Sequence, residues 1–309
     1  MSYPYLSDLI NYFFGTQWSI PIAMFGTFVA MAIVVATIVG KKEIIRFENA
    51  NLLPAQFFSS KGFIPTHQII TDLAMVSALS GIVGARLFHI FEYPAEFLED
   101  PVSMIFSRQG LSIYGGLIVG VVAGIVFLKK RNIPVVPMLD ALAPSIVLGY
   151  GIGRLGCQVS GDGDWGIASN MALKPDWLPT WFWAQTYENN IAGVTILSPG
   201  VYPTPLYEAA TAFCIFLFLW AIRKNKFSSG FMFSTYLLLS GFGRLLIEKI
   251  RINSQYHVAE ISFTQAEFIS TLLILLGLVG ILKTTQFKNI SKIALSLIVV
   301  GALTACSKL

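Results

Sequence analysis

The chain has 309 residues, of which 55% are hydrophobic and only 12% are charged, and its mean hydropathy is +0.68. A soluble domain carries about 25% charged residues, so the composition excludes an ordinary soluble protein and predicts a polytopic membrane protein. The net charge of +4 is interpreted through membrane topology, and we expect no nucleic-acid partner. Three cysteines and three histidines are too scattered to predict a metal site, and we expect no cofactor.

Seven apolar segments are candidates to cross the bilayer, which requires about 20 mostly apolar residues. In chain order they are Ile20–Val39, Ile69–Ile90, Leu111–Leu128, Leu139–Gly156, Pro205–Ile222, Gly230–Ile247 and Ala266–Leu282. An eighth apolar segment, Ile290–Cys306, lies near the C-terminus. The predicted fold class is therefore an all-α polytopic membrane protein with seven transmembrane helices and an eighth, C-terminal apolar segment.

The distribution of basic residues predicts the orientation of these helices. Thirteen of the 21 lysines and arginines fall in residues 40–68, 129–135, 223–229 and 283–292. By the positive-inside rule these four segments face the cytoplasm, and the N-terminus is then periplasmic. The long segment 157–204, with four tryptophans, becomes a periplasmic head at the headgroup level. We divide the chain into a transmembrane domain, residues 1–287, and a tail, residues 288–309.

This orientation places several polar residues at the outer ends of helices. Arg86, Arg154 and Arg244 end their spans there, and Tyr114 begins its own. An arginine at the rim of a bilayer is costly unless an anionic or hydrated group meets it. The convergence of four distant segments at one depth predicts a site for a phosphate-bearing molecule. The alternative is a set of independent interfacial residues, with snorkelling arginines and a tyrosine of the aromatic belt.

Carboxylates accompany two of the arginines. Arg154 precedes a polar, glycine-rich turn that contains Asp162 and Asp164, either of which could orient the guanidinium. A second set has the spacing i, i+4 and i+7, which predicts that its members lie on one face of a helix. These residues are Arg244, Glu248 and Arg251. Here the glutamate can hold one guanidinium while an arginine fork grips a phosphate. The alternative is a structural ion-pair ladder. Glu208, just inside the fifth span, is an informative carboxylate, whereas Asp72 and Asp140 are expected to cap or pair at the cytoplasmic ends.

Five segments resemble those of the prolipoprotein diacylglyceryl transferases. They are Gly84-Ala-Arg86, Tyr114-Gly-Gly-Leu-Ile, Gly153-Arg154-Leu-Gly with its turn ending Trp165-Gly166, Pro203-x-x-Leu206-Tyr207-Glu208, and Gly241-x-x-Arg244-x-x-x-Glu248-x-x-Arg251. The resemblance spans most of the chain in the family's order. It implies an enzyme of the bacterial inner membrane that transfers the diacylglyceryl group of phosphatidylglycerol to the lipobox cysteine of prolipoproteins. Glycerol phosphate is released in this first step of lipoprotein maturation.

The resemblance also implies roles for single residues. Arg154 and Arg244 would bind the lipid phosphate and stabilise the leaving group, with Tyr114 as the candidate base. The wider phosphatidylglycerol site would comprise Arg86, Arg154, Asp162, Arg244, Glu248 and Arg251. The implied partners are phosphatidylglycerol, prolipoprotein signal peptides and the lipid bilayer.

The chain departs from the family pattern at several positions. Tyr114 replaces the histidine before Gly-Gly that is a proposed base, and Tyr202 replaces a second histidine. Phe25 stands where the first span usually has tyrosine, and Cys157 where the signature usually has asparagine. The alternative function is therefore a non-catalytic phospholipid-binding membrane protein that keeps the arginines and lacks the base. A transporter is disfavoured, because the charges lie at one face and not at the midplane.

The C-terminal tail ends in a lipobox-like sequence. Residues 288–306 have a basic start, an apolar core and Leu303-Thr-Ala-Cys306. One hypothesis is that Cys306 is itself lipidated. The alternative is an eighth apolar helix with a chance cysteine.

Overall fold

The structure, a computed structural model, describes residues 2–59, 62–106, 112–225, 227–253, 255–258 and 261–284. Its helices are α1 (Leu6–Phe14), α2 (Met24–Asn49), α3 (Ile69–Glu92), α4 (Pro94–Glu99), α5 (Pro101–Phe106), α6 (Ile113–Lys129), α7 (Val135–Ser160), α8 (Thr180–Trp183), α9 (Thr204–Ile222), α10 (Phe231–Glu248) and α11 (Gln265–Thr284). There are also two short hairpins, β1 (Gln56–Ser59) with β2 (Gly62–Pro65) and β3 (Gln255–Val258) with β4 (Ile261–Thr264), and two 3-10 turns, Thr66–Gln68 and Met171–Leu173.

Five helical segments in the described part of the chain are long and apolar enough to cross a membrane. They are α2, α3 with the 3-10 turn before it, α7, α9 and α11. A shorter apolar helix, Gly115–Lys129, lies within α6, and α10 coincides with the sixth predicted segment. The chain is therefore a mostly helical, multi-pass membrane protein, as its composition predicts.

Two helices extend well beyond the predicted spans. The predicted first span ends at Val39, whereas α2 continues to Asn49. The extra turns bury Ile44 and Phe47 in a core cluster with Met138, which lies in the added first turn of α7. The continuous apolar sequence ends before Lys41 and Lys42. The helix nevertheless continues, because one of its faces remains buried.

The two hairpins are a departure from the all-α prediction. Each strand has four residues, and the antiparallel registers pair Phe57 with Ile64 and Tyr256 with Phe263. Strands of this length carry too few alternating residues to produce a clear sequence signal. Before the first predicted span, the chain also forms the short helix α1.

The helices pack mainly as neighbouring pairs. The most extensive contacts join α3 to α6, α10 to α11, α2 to α7 and α7 to α9. The α3–α6 pair meets through small residues: Gly81, Gly84, Gly115, Gly116 and Gly120. The second core cluster lies between α7, α9 and α10 and contains Ala143, Val147, Ala212, Ile215, Leu219 and Met232. Because α7 takes part in both core clusters, it is the central helix of the fold.

The outward faces of the helices are apolar. On α3 the side chains of Met75, Leu79, Ile82 and Val83 are all more than half exposed. A contiguous apolar surface of this kind is unfavourable in water. It fits contact with lipid chains, so the polar contacts must lie at the ends of the bundle.

Polar contacts at the two ends fix the relative directions of the helices. At one end the Asp140 carboxylate accepts hydrogen bonds from the backbone N–H groups of Gly230 and Phe233, the latter at 2.8 Å, and so caps the start of α10. Of the two roles expected for Asp140, capping or pairing, the structure shows capping. At the opposite end of α7 the N–H of Tyr3 donates to the carbonyl of Val159 at 2.7 Å. The N-terminal segment therefore lies at the same end of the bundle as Arg154.

Candidate active site

A close approach of α7 and α9 brings the first ion pair together. A Cβ added at Gly151 would lie 3.1 Å from the Cβ of Ala212, so a larger residue would separate the helices. Arg154 lies one turn after Gly151 on α7, and Glu208 lies one turn before Ala212 on α9, so both project from these same faces. The Arg154 Nε–H donates to the Glu208 carboxylate in a short contact.

A second close approach adds α10 to this pair. A Cβ at Gly243 would lie 2.7 Å from the Cγ2 of Thr211, one turn from Glu208 on α9. The next residue, Arg244, donates to Glu208 Oε1 at 2.8 Å. Glycines beside the two arginines therefore allow both guanidiniums to reach one carboxylate.

Glu208 is the centre of the resulting cluster. Its side chain is 2% exposed, and it accepts from Arg154, Arg244, Arg251 at 3.3 Å and the Tyr150 hydroxyl at 3.1 Å. A buried carboxylate is tolerated only when it is paired and hydrogen-bonded, and here four donors meet that need. Sequence reasoning noted Glu208 but did not include it in the site. The available signal was an acidic residue inside an apolar helix.

Asp164 is the second carboxylate shared by two arginines. Arg154 contacts its Oδ2 and Arg251 contacts its Oδ1, both at short range. The sequence left Asp162 and Asp164 open as partners of Arg154, and the ion pair found is with Asp164. Burial raises the pKa of Asp164, but the two guanidiniums outweigh burial and hold the pKa below its usual value.

Arg251 reaches the site by a route that helical spacing did not predict. The predicted i, i+4 pair of Arg244 and Glu248 is confirmed on α10, but the i+7 position is wrong. The helix ends at Glu248, and Arg251 follows a turn and forms an isolated β-bridge. Its backbone forms an antiparallel bridge with Gly166, and the N–H of Ile167 donates to the carbonyl of Ile250 at 2.9 Å. This bridge joins the end of α10 to the glycine-rich turn, which places Arg251 beside Asp164.

Glu248 contacts Arg244 and is itself held from the other side. Its Oε2 lies 2.9 Å from Arg244. Its Oε1 accepts from Asn253 at 2.7 Å and from the Thr264 hydroxyl at 2.6 Å. The orientation of Arg244 is thus connected to β4 and the start of α11.

The remaining predicted residues lie in three places. Asp162 stays within the turn, where it accepts from the backbone N–H of Asp164 at 3.3 Å. Arg86 is half-buried on α3, whose main neighbour is α6 and not the helices of the cluster. Tyr114 lies in the first turn of α6, and its side chain is outside the described part of the structure. Cys306 and the tail also lie outside it.

The residues that depart from the family pattern have structural neighbours. Phe25 packs beside Gly156, whose added Cβ would lie 3.5 Å from its ring. The Tyr202 hydroxyl accepts from the backbone N–H of Asn170 at 3.0 Å, and its ring meets Trp183 edge-on. Both contacts of Tyr202 are within the head segment.

Cys157 is the departure closest to the cluster. Its thiol accepts from Arg154 at 3.4 Å and lies within 4.8 Å of both Asp162 and Asp164. A thiol with two carboxylates is a possible donor set for a divalent cation. However, Asp164 is already paired with two guanidiniums, whose positive charge opposes a second cation. The two guanidiniums therefore disfavour a cation beside Cys157.

Three arginines from two helices and the following segment thus converge at one end of the bundle. Their side chains are only 11–25% exposed. At such depth, guanidinium forks can bind a phosphate bidentately and stabilise negative charge that develops on it. The fold and site define a multi-pass membrane protein with a semi-buried cluster of arginines and carboxylates at one end of the helix bundle.

Comparison with known proteins gives the family. Residues 12–283 match the model of the prolipoprotein diacylglyceryl transferase family, and the chain belongs to that family. Three relatives are each named phosphatidylglycerol–prolipoprotein diacylglyceryl transferase. That of Leptospira interrogans is 28% identical, over 93% of this chain and 96% of its own length. That of Clostridium tetani is 30% identical over 71% and 81%, and that of Bacillus cytotoxicus is 33% identical over 59% and 65%.

Proposed function

We propose that this chain transfers the diacylglyceryl group of phosphatidylglycerol to the lipobox cysteine of prolipoproteins and releases glycerol phosphate. Family membership supports the reaction class. The observation that carries the proposal is the convergence of Arg154, Arg244 and Arg251 on the buried Glu208. A phosphodiester is the part of phosphatidylglycerol that this set of donors recognises.

The reaction is a displacement at a glyceryl carbon. The thiol of the prolipoprotein loses its proton, and its sulfur forms a bond to that carbon. The bond from the carbon to the phosphate oxygen breaks, and the electron pair stays on the oxygen. Negative charge therefore grows on the phosphate in the transition state. Arginines fixed beforehand by carboxylates stabilise that charge without having to reorganise.

Arg154 and Arg244 are the residues proposed to bind the phosphate directly. Arg154 is held by both carboxylates and Arg244 by Glu208 and Glu248. These pairs restrict the guanidiniums before the lipid arrives, which reduces the entropy that binding must spend. In this scheme Glu248 positions Arg244, and Arg251 completes the anion site.

Arg86, Asp162 and Tyr114 complete the proposed set. Arg86 and Asp162 belong to the wider phosphatidylglycerol site, and Tyr114 remains a candidate base. For the topology we propose seven transmembrane helices and an eighth apolar segment at the C-terminus. Residues 1–287 form the transferase domain with residues 157–204 as its head, and residues 288–309 form the tail.

We place the protein in the bacterial inner membrane with the arginine site at the periplasmic side. Glu43, Arg46 and Arg223 form ion pairs at the end of the bundle opposite the site. The same end carries Lys41, Lys42 and Lys224, and positive charge of this kind normally faces the cytoplasm. The site end then faces the compartment where prolipoprotein signal peptides emerge.

The experiment combines purified protein in detergent with phosphatidylglycerol and a synthetic lipobox peptide. Glycerol phosphate release and peptide mass are followed together for the wild type, Arg154→Ala and Arg244→Ala. We expect stoichiometric release and a diacylglyceryl mass gain in the wild type, with both lost in the variants. An established family enzyme serves as the positive control. Lipid binding without turnover, while the control turns over, would contradict the proposal.

A further inference from the structure

The two carboxylates shared by the arginines differ in how firmly they are held. Glu208 lies on a helix, is 2% exposed and accepts from four donors. Asp164 is 34% exposed and lies in a turn in which Gly161 and Gly163 have φ of 62° and 98°. Only the Asp164 side chain can leave the arginines without opening the helix bundle, because rotation about its side-chain bonds moves the carboxylate by a few ångströms, roughly the size of a rotamer change.

The Asp164 carboxylate also resembles a bound phosphodiester. One of its oxygens contacts Arg154 and the other contacts Arg251. A phosphodiester likewise presents one negative charge over two free oxygens, and it adds further acceptor atoms. The buried Nε–H of Arg251 has no acceptor in the part of the chain that the structure describes, and buried donors of this kind are normally satisfied. The arginine pair therefore has capacity for a larger anion than a carboxylate.

The charge balance of the cluster points the same way. Three arginines are matched by Glu208, Glu248 and Asp164. A lipid phosphate adds one negative charge, so one carboxylate must give up its guanidinium partners. Asp164 is the one that can do so. Its backbone stays in place, because the Thr204 hydroxyl donates to the Asp164 carbonyl at 2.6 Å.

We propose that the lipid phosphate displaces the Asp164 carboxylate from Arg154 and Arg251, and that the released carboxylate accepts the proton of the substrate thiol. This inference rests on the proposed transferase function. It assigns a base to a chain in which Tyr114 replaces the histidine that the family is proposed to use. The carboxylate remains beside the lipid because its backbone is anchored. A sulfur atom fits next to it, since the Cys157 thiol already lies within 4.8 Å of Asp164.

The exchange raises the proton affinity of Asp164, as a base that accepts the thiol proton requires. In the free protein the two guanidiniums hold the pKa of Asp164 down against the effect of burial. When the phosphate takes both guanidiniums, that effect is lost and a nearby anion raises the pKa further. The groups that surround Asp164 are Arg154 and Cys157 from α7, Asp162 from its own turn, Arg251 from the segment after α10 and Glu208, which shares both arginines.

The proposed step balances in atoms and electrons. The thiol proton moves to a carboxylate oxygen of Asp164, and the sulfur attacks the glyceryl carbon. The carbon–oxygen bond breaks, and the electron pair goes to the phosphate oxygen beside the arginines. Glycerol phosphate leaves and receives the proton from Asp164, directly or through water. Asp164 is then ionised again and can return to the arginines.

The test is Asp164→Asn, with Asp164→Glu as the conservative variant. An asparagine competes weakly for Arg154 and Arg251, so the KM and Kd for phosphatidylglycerol should fall by about tenfold or more, since charge-assisted contacts to both arginines no longer compete. Because an asparagine cannot take the proton, kcat should fall by about 10²–10⁴-fold. The glutamate variant should recover part of that rate. Asp164→Asn should also lose the acidic limb of the pH–rate profile.

The matched control is Asp176→Asn, which makes the same charge change at an exposed position of the same head segment and should alter neither affinity nor rate. Weaker lipid binding by Asp164→Asn, or an unchanged kcat, would overturn the proposal. Binding is measured separately with vesicles of phosphatidylglycerol in phosphatidylcholine. An inactive wild type would refute the transferase function and the proton transfer, whereas tighter binding by Asp164→Asn would still establish the exchange.

Discussion

Two arginine sites lie at opposite ends of the same helix bundle, and both are built around a buried glutamate. At one end Glu43 pairs with Arg46 and Arg223, whose guanidiniums lie over the rings of Phe47 at 4.7 Å and Trp220 at 3.5 Å. At the other end Glu208 pairs with three arginines. The first site thus combines ion pairs with stacking on aromatic rings, which is an arrangement suited to stability.

The two sites differ in the carboxylates that accompany the central glutamate. In the cluster around Glu208, part of the balancing charge comes from Asp164, which is partly exposed and sits in a glycine-rich turn. In the proposed exchange, this carboxylate is the counterion that the lipid phosphate replaces. Because both ends have a buried glutamate paired with arginines, matched variants at the two ends serve as controls for each other.

The largest expected effect comes from replacing the central glutamates. Glu208→Gln leaves three arginines without their shared counterion, and breaking a buried ion pair costs about 3–5 kcal/mol. We expect a decrease of that size in the free energy of unfolding, measured by denaturant titration in detergent, together with loss of transfer. Glu43→Gln should also destabilise the protein. If the refolded Glu43 variant lost transfer as completely as the Glu208 variant, the functional distinction between the two ends would be wrong.

A change of arginine to lysine should separate the two ends more cleanly. Arg154 uses Nε for Glu208 and a terminal nitrogen for Asp164, and an ammonium group cannot reproduce this fork. Arg154→Lys should therefore lower kcat/KM by about 10²–10³-fold, the range seen when one transition-state donor is removed. Arg223→Lys is the matched control and should leave kcat/KM unchanged. Equal losses in both variants would indicate a general structural effect.

A smaller effect is expected at the helix cap of the opposite end. Asp140→Ala removes the acceptor for the N–H groups of Gly230 and Phe233, which should cost about 0.5–2 kcal/mol of stability. Transfer activity per folded molecule should not change. Asp140→Asn keeps an acceptor oxygen and should restore most of the stability. A drop in activity at unchanged lipid affinity would show that the two ends are coupled.

The smallest effect is the response of stability to acid. The pKa of Asp164 is lowered in the folded protein, so its ion pairs stabilise fully above the unfolded pKa of about 4. That contribution is lost as the pH falls through the lower folded-state pKa. The unfolding midpoint should therefore drop on acidification, and the drop should be shallower in Asp164→Asn. Superimposable curves for the two proteins would contradict the assignment of these ion pairs.

The sequence predicted the helices well because their signal is local. Continuous apolar runs identified each long helix, and Asp140 was expected to cap or pair and does cap. Hydropathy predicted the wrong helix end where a buried face continues past charged residues, as it does past Lys41 and Lys42 on α2. The four-residue strands were missed because they are shorter than the window in which an alternating pattern can be read.

The site was predicted in part, and the misses have a common cause. The sequence identified Arg154, Arg244 and Glu248 from their motifs, but it did not assign Glu208 as their centre. It also placed Arg251 on a helical face, whereas a backbone bridge to Gly166 carries it to the turn. Both features depend on contacts between residues far apart in the chain, which spacing within one segment does not encode.

The most direct measurement follows the oxygen between the diacylglyceryl carbon and the phosphorus of phosphatidylglycerol, labelled with a heavy isotope. Mass spectrometry of both products after reaction with a lipobox peptide shows which bond breaks. We expect all of the label in glycerol phosphate and a peptide that is heavier by one unlabelled diacylglyceryl group. Label in the peptide or in free diacylglycerol, or no modified peptide under conditions in which an established family enzyme works, would contradict displacement at the glyceryl carbon.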